Sequence, residues 1–254
     1  MLVLGIDPAP AKESLLFDGK SFLRFYPKEL KAYIQDLQKK EPLFISWDAP
    51  LSAALDEEHF SLTIRPIERF FNRLGRHAKL LGIAEGITTL GFASCPHWTL
   101  SQYIFGYPKI NATLQKDGDF RLLMQNNKPL DECHYITEIH PALSMWILLR
   151  KQLREDGLFK ASWKYKGDAK KETLLRRERL SFEMLRLAKE EFVLPDRLEI
   201  ESDDELDAFV CWYIAKLYLK KKGAAMIYGD EKYGSFLLPY DAEILKSLQS
   251  YLKS

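Results

Sequence analysis

The chain has 254 residues, of which 46% are hydrophobic, and its 37 basic and 36 acidic side chains give a formal net charge of +1. This composition is typical of a globular protein with its own core, and we expect one α/β domain over 1–254. Near-neutrality excludes a protein that holds nucleic acid by overall basicity, and equally an acidic solvating chain. Three cysteines indicate no disulfide framework, and the N-terminus lacks a basic signal-peptide region, so we expect a cytoplasmic protein without a membrane partner.

The first fifty residues contain clear elements. The apolar run Leu2–Ile6 is typical of a strand buried on both faces. Two strands within residues 14–25 flank Asp18-Gly19, a pair that favours a tight hairpin. Helical spacing of apolar residues predicts a helix over Pro27–Lys40, and Leu43–Trp47 is the next buried strand, which we expect to lie parallel to the first.

Residues 51–130 show weak periodicity apart from a helix predicted over about 65–81, and we interpret this region as an irregular helical insertion. Order returns beyond it. The predicted elements there are a strand at 133–139, helices at 142–153, 174–192 and 202–222, two short strands at 225–228 and 236–238, and a short terminal helix. The chain is therefore expected to be an α/β protein with helices flanking its sheet.

Three predicted strands end in an acidic residue that a proline follows closely. Asp7 follows the first strand, Asp48 follows the second buried strand, and Glu138 lies near the end of the third. If these strands are parallel neighbours, their carboxylates meet at one edge of the sheet, where ligands bind in open α/β folds. The alternative for each acid alone is that Asp and Pro simply end strands, because both favour turns.

A fourth candidate, Asp207, lies on the last long helix. Ser202 and Glu205 have the spacing of a capping box, which places Asp203 and Asp204 in the first turn, where acids complement the helix dipole. Asp207 lies beyond the cap on an apolar helix and should face inward. A buried carboxylate must be paired, neutral or bound to a metal, so both a salt bridge and a metal site remain open, and Asp204 shares its face.

Several converging carboxylates repel one another, and a hard divalent cation with oxygen ligands relieves that repulsion. Mg²⁺ or Mn²⁺ fits this ligand type best. Two such ions about 4 Å apart activate a water and stabilise the leaving oxygen of a phosphodiester. The acids therefore predict a nuclease with a two-metal site, in which the candidate metal ligands are Asp7, Asp48, Glu138, Asp204 and Asp207.

Short motifs in a fixed order carry a family resemblance. They are Gly5-Ile6-Asp7, Asp48-Ala49-Pro50-Leu51, Arg65-x-x-Glu68, Glu138-x-His140-Pro141, Asp207-Ala208, and Gly229-Asp230 through Gly234 with Leu238-Pro239. With these motifs the chain resembles the domain of unknown function 429 family, a family of predicted ribonuclease-H-like nucleases. The resemblance implies a mixed sheet of antiparallel hairpin strands and parallel strands, with a large insertion after the second acidic strand. It also implies metal-dependent phosphodiester hydrolysis with the catalytic acids Asp7, Asp48, Glu138 and Asp207.

Two further residues near these acids are candidates for substrate binding. Arg65 and Glu68 lie one helical turn apart, so a structural ion pair is the first explanation, and a phosphate contact by Arg65 is the alternative. His140 stands two residues after Glu138, on the same face of a strand. It is either a proton shuttle or metal neighbour, or a hydrogen-bonded residue beside the proline turn.

A basic segment from Arg150 to Lys189 carries thirteen Lys and Arg against six acids, a local charge of +7. Aromatic residues interleave with the cations, a combination that binds a phosphate backbone and stacks bases. The alternative is a solvated loop and helix face. We name Trp163, Lys166 and Lys170 as the candidate nucleic-acid contacts.

Two other functions remain open. ATP-dependent kinases and ATPases of the same fold also begin with a strand that ends in Asp, although residues 8–13 contain no glycine-rich phosphate turn. A non-catalytic nucleic-acid-binding module that keeps the acids is the other alternative. The pairs Cys95/His97 and Cys133/His134 lack zinc-ligand spacing, so we expect no structural zinc.

Overall fold

The computed structural model describes residues 1–51, 65–71, 95–105, 120–127, 129–160 and 162–253. Its strands are β1 (Leu2–Asp7), β2 (Ser14–Phe17), β3 (Phe22–Phe25), β4 (Leu43–Trp47), β5 (Phe120–Leu122), β6 (His134–Glu138), β7 (Ala225–Asp230) and β8 (Gly234–Pro239). Its helices are α1 (Pro27–Gln38), α2 (helical residues 66–71), α3 (Cys95–Phe105), α4 (Pro141–Leu149), α5 (Lys171–Glu191), α6 (Asp203–Lys220) and α7 (Ala242–Lys253).

Six strands form the main sheet in the order β3-β2-β1-β4-β6-β5. The hairpin strands β2 and β3 run antiparallel to their neighbours, whereas β1, β4, β6 and β5 are parallel. The register pairs Ile6 with Trp47 and Trp47 with Glu138. The carboxyl ends of three adjacent parallel strands therefore lie side by side at one edge of the sheet.

Helices cover both faces of this sheet, because successive residues of each strand point to opposite sides. Leu4, Ile6 and Trp47 belong to a core that includes residues of α1 and α3. Val3 and Phe44 belong to the larger core, which α4, α5, α6, α7 and the β7–β8 hairpin complete. Near-continuous apolar strands follow from burial on both sides.

Helix α6 makes the closest approach to the sheet, and Gly5 permits it. A Cβ atom on Gly5 would lie 2.1 Å from the Ala208 carbonyl oxygen and 2.3 Å from the Trp212 backbone nitrogen. The helix backbone thus rests directly on β1. Since Asp7 lies two residues after Gly5, it points to the same face, toward α6.

The β7–β8 hairpin continues from the end of β6 through a parallel bridge between Ile139 and Leu237. It also holds the segment that begins at Arg65, because the Tyr233 carbonyl accepts a hydrogen bond of 3.1 Å from the Ile67 N–H. Gly234 has a positive φ of +81°, and a Cβ there would lie 2.8 Å from Arg65 Cδ. Gly234 therefore makes room for the Arg65 side chain.

The predicted mixed α/β sheet with flanking helices is confirmed, including the 14–25 hairpin, the parallel pair β1 and β4, and the Ser202–Glu205 capping box of α6. One prediction was wrong in detail, because the helix expected to reach 153 ends at Leu149. Most of the region predicted to be an irregular helical insertion lies outside the described residues, and within it residues 120–122 form strand β5. Of the helix predicted over 65–81, residues 72–81 lie outside the described residues. Among the helices that the structure describes, none combines the length and apolar character that a membrane span requires.

Gly5→Ala tests the close approach of α6 to β1. The added methyl group meets backbone atoms, which cannot rotate away, so we expect a loss of about 3 kcal/mol or more in unfolding free energy. Gly157→Ala is the matched control, because a Cβ there meets no atom within 4 Å. Chemical denaturation of both variants measures the difference. Equal stabilities would contradict the proposed packing constraint.

Candidate metal centre

Three carboxylates come together at the carboxyl edge of the parallel strands. Asp7 ends β1, Asp48 follows β4, and Asp207 projects from α6 onto the same place. One oxygen from each lies within 4.8 Å of the other two. The Asp48 N–H donates to the Ile6 carbonyl at 3.0 Å, which continues the β1–β4 ladder to the site. We call these three residues the aspartate cluster.

Burial and mutual repulsion make the aspartate cluster costly to ionise. Burial, together with the charges of Asp207 and Asp48, raises the pKa of Asp7 well above its usual range. Burial likewise raises the pKa of Asp48 to about 7. The pKa of Asp207, whose side chain is fully buried, is raised for the same reason, although Lys166 opposes the shift. A cation bound close to these carboxylates would strongly stabilise their ionised form.

Lys166 supplies one positive charge inside the aspartate cluster. Its ammonium lies 2.5 Å from Asp207 Oδ2 and 3.8 Å from Asp48 Oδ2. Burial alone would lower the pKa of Lys166, but Asp207 and its neighbours outweigh burial and raise it, so the group stays charged. One ammonium against three carboxylates leaves a formal charge of −2 when all are ionised.

Tyr165 fixes the other oxygen of Asp207. Its phenol donates a hydrogen bond to Asp207 Oδ1, and burial, with the nearby Asp207 charge, raises its pKa, so the phenol keeps its proton. Trp163 and Tyr165 are buried, whereas the side chains of Lys164 and Lys166 are exposed along much of their length, an alternation typical of extended chain. The Gly167 N–H then donates to Asp203 at 3.1 Å, which fastens the segment to the start of α6.

Glu138 does not share in the aspartate cluster, because its register differs by one residue. It pairs with Trp47, the residue before Asp48, so alternation directs it toward the face that holds Ile6 and Trp47. The position level with Asp48 is Ile139, which is buried in the larger core. Of the five acids predicted as metal ligands, three come together in the described residues, and Glu138 and Asp204 lie outside that group.

Arg65 binds Glu138 and Glu68 in the interior. Its Nη1 donates to Glu138 Oε2 at 2.7 Å, its Nη2 bonds Glu138 Oε1, and its Nη2 also lies 2.7 Å from Glu68 Oε1. Burial alone would lower the pKa of Arg65, but the two carboxylates raise it. The ion pair with Glu68 that the sequence predicted is therefore present. Arg65 has no exposed surface, so a direct phosphate contact does not fit this structure.

His140 caps helix α4. Its Nδ1 accepts a hydrogen bond of 3.2 Å from the Leu143 N–H. Burial and the charge of Lys166 lower the pKa of His140 to about 3, so the ring is neutral at physiological pH. A ring with this pKa is a weak base, and the geometry favours the capping role over proton transfer.

The other predicted site residues are not members of the aspartate cluster in the described residues. Asp204 Oδ2 accepts a hydrogen bond of 2.6 Å from Lys12 Nζ, so Asp204 belongs to an ion pair at the start of α6. Trp163 is buried and packs against Phe159 with ring centroids 4.8 Å apart, so base stacking by Trp163 is corrected to core packing. Lys170 is exposed just before α5. The sequence signal that we missed is the period of two over 162–166, which predicts buried aromatic rings.

Comparison with known proteins gives one match. The family model described as "Protein of unknown function (DUF429)" matches residues 118–232 of this chain, which confirms the resemblance to that family. The matched range includes Glu138, Lys166 and Asp207, and it begins after Asp7 and Asp48. No curated protein and no solved structure matches the chain.

Two carboxyl-to-amide changes should have opposite effects on the metal-free protein. Asp7→Asn removes a carboxylate whose ionisation the fold opposes, so we expect it to stabilise the protein at pH 8. Glu138→Gln leaves Arg65 with less compensation in the interior and should cost about 3 kcal/mol.

The effect of Asp7→Asn should depend on pH. Because the folded-state pKa of Asp7 is raised above 3.8, wild-type stability falls as pH rises from 3.8 through that raised pKa. The gain from Asp7→Asn should therefore vanish near pH 3.5 and grow toward pH 8. Denaturation with a chelator present, at several pH values, measures both effects. A loss of stability in both variants at pH 8 would contradict this account.

Proposed function

We propose that this chain, whose residues 118–232 match the domain of unknown function 429 family, is a divalent-metal-dependent phosphodiesterase that acts on nucleic acid. The observation that carries the proposal is the aspartate cluster, with its three carboxylates within 4.8 Å at the carboxyl edge of parallel strands. Ligands of open α/β sheets bind at this edge. The strand order, with an antiparallel hairpin followed by parallel strands, is compatible with the ribonuclease-H-like fold that the resemblance implies.

The ligand chemistry of the aspartate cluster supports Mg²⁺ or Mn²⁺. All three groups offer carboxylate oxygens, and hard divalent ions prefer oxygen ligands. Burial, with repulsion among these oxygens, raises the pKa values of Asp7 and Asp48, so the ionised cluster is costly without a bound cation. Asp7, Asp48 and Asp207 would hold the ion, and an ion there would activate a water and stabilise the leaving oxygen of a phosphodiester.

The residues of the chain would prepare this site before any substrate binds. Tyr165 orients Asp207 by donating to Oδ1, which leaves Oδ2 directed into the cluster. The backbone contact between Gly5 and α6 sets the separation of Asp7 and Asp207. Glu138 would act indirectly, because its contact with Arg65 stabilises the sheet edge on which Asp48 lies. A rigid frame of this kind lowers the cost of orienting the reacting groups.

The extended segment 162–170 supports a polyanionic substrate. Lys164, Lys170 and the adjacent Lys171 are exposed and form no ion pair within the described residues. By contrast, several arginines of the basic segment are paired, such as Arg177 with Asp168 and Arg150 with Asp241. We therefore assign contact with phosphates to these three lysines, which lie along the segment next to the aspartate cluster. Such contacts fix the position of a backbone and carry no base specificity.

The proposal is tested by cleavage of single-stranded, duplex, hybrid and branched nucleic acids with Mn²⁺ or Mg²⁺. Loss of a group that only hydrogen-bonds to a metal ligand lowers metal affinity or activity by about 10–100-fold. Loss of a direct ligand in Asp7→Asn or Asp207→Asn should therefore lower the cleavage rate by at least about 100-fold. Asp204→Asn is the matched control, because Asp204 pairs with Lys12 beside the cluster, and it should retain most activity.

Three results would contradict the proposal. Pure wild-type protein cleaves none of the substrates, the two ligand variants cleave as fast as wild type, or cleavage persists in a chelator. Protection of the protein against thermal unfolding by magnesium-ATP alone would instead favour a kinase or ATPase.

A further inference from the structure

The aspartate cluster already holds a cation that belongs to the chain. The Lys166 ammonium lies 2.5 Å from Asp207 Oδ2 and 3.8 Å from Asp48 Oδ2, so it contacts two of the three carboxylates. The charge of Asp7 also contributes to the raised pKa of Lys166, so all three carboxylates act on it. The ammonium thus sits where a divalent ion would bind.

An ammonium and a divalent ion cannot share this position. Asp207 Oδ1 accepts a hydrogen bond from the Tyr165 hydroxyl, and Oδ2 is the oxygen that the Lys166 ammonium contacts. Mg²⁺ or Mn²⁺ bonds a carboxylate oxygen at about 2.1 Å, closer than the ammonium lies, so an ion at Asp207 Oδ2 competes with Lys166 for the same oxygen. Two positive charges that close would also repel each other strongly in a buried site.

We propose that Lys166 is a tethered counter-ion of the aspartate cluster, and that a divalent cation binds by displacing its ammonium. The inference rests on the proposed function, since it names the residue that competes for that same site. Lys166 therefore weakens metal binding in the free protein while it protects the fold from three uncompensated acids. It acts as a regulating residue and is separate from the ligands.

The surroundings of Lys166 allow the exchange. Its side chain is 52% exposed, so the ammonium has an open route away from the buried Asp207. Tyr165, on one side, is anchored in the core. Gly167, on the other side, has a φ of +89°, and a Cβ there would meet no atom within 4 Å. The side chain can swing outward while the backbone on either side keeps its place.

Calorimetric titration with Mn²⁺ tests the displacement. If the ammonium occupies the site in more than about 90% of molecules, Lys166→Met should bind Mn²⁺ about tenfold more tightly than wild type. Lys12→Met is the matched control, because Lys12 carries its charge beside the cluster while it pairs with Asp204. It should change the affinity by less than about threefold, since its charge is partly exposed and screened.

Amine labelling of the wild-type protein provides a test that depends on no variant. Without metal, the Lys166 amine is held by carboxylates and should react slowly with an acetylating reagent. Saturating Mn²⁺ should release it and raise its labelling rate severalfold, measured by mass spectrometry, while the rate at exposed Lys164 stays constant.

The outcomes distinguish failure of the metal site from failure of the displacement. If neither wild type nor Lys166→Met binds Mn²⁺, the metal site fails, and the displacement with it. If both bind Mn²⁺ equally, or if Mn²⁺ leaves the labelling of Lys166 unchanged, the site stands and the displacement is overturned. If Lys12→Met tightens binding as much as Lys166→Met, the effect is general charge and the displacement is again overturned.

Discussion

The contact between the backbone of α6 and strand β1 is the constraint on which the site depends. At Gly5 the helix lies so close that a single methyl group would overlap the Ala208 carbonyl. Because Asp7 follows Gly5 by two residues and Asp207 precedes Ala208, this one contact sets the distance between two carboxylates from remote parts of the chain. The absence of a side chain at Gly5 is therefore as important to the site as the aspartates themselves.

A single residue of register separates two kinds of charged group at the same sheet edge. Glu138, level with Trp47, forms a compensated interior network with Arg65 and Glu68. Asp7 and Asp48, level with each other, share one ammonium with Asp207. In the first network each carboxylate is bonded to the Arg65 guanidinium, although burial still raises the pKa of Glu138 to about 7. The second is left short of positive charge, which is a feature of binding sites.

The sequence predicted what depends on local pattern. Buried strands, the 14–25 hairpin, the capping box and the inward face of Asp207 all follow from spacing within a few residues. What escaped it depends on alignment between distant segments. No local signal states that Trp47 pairs with Glu138, so the third acid was placed with the wrong group. The partner of Asp207 was hidden similarly, since Lys166 is one of thirteen cations in its segment, although alternation over 162–166 separates it from the buried rings.

Glu138 also joins two points that are separate along the chain. Its Oε2 accepts a hydrogen bond of 3.0 Å from the Leu51 N–H and one of 2.7 Å from Arg65 Nη1. The two ends of the stretch 52–64 are thus fastened to one carboxylate. One carboxylate therefore sets where the chain leaves the sheet after β4 and where it returns at α2, because it fixes both Leu51 and Arg65 relative to β6.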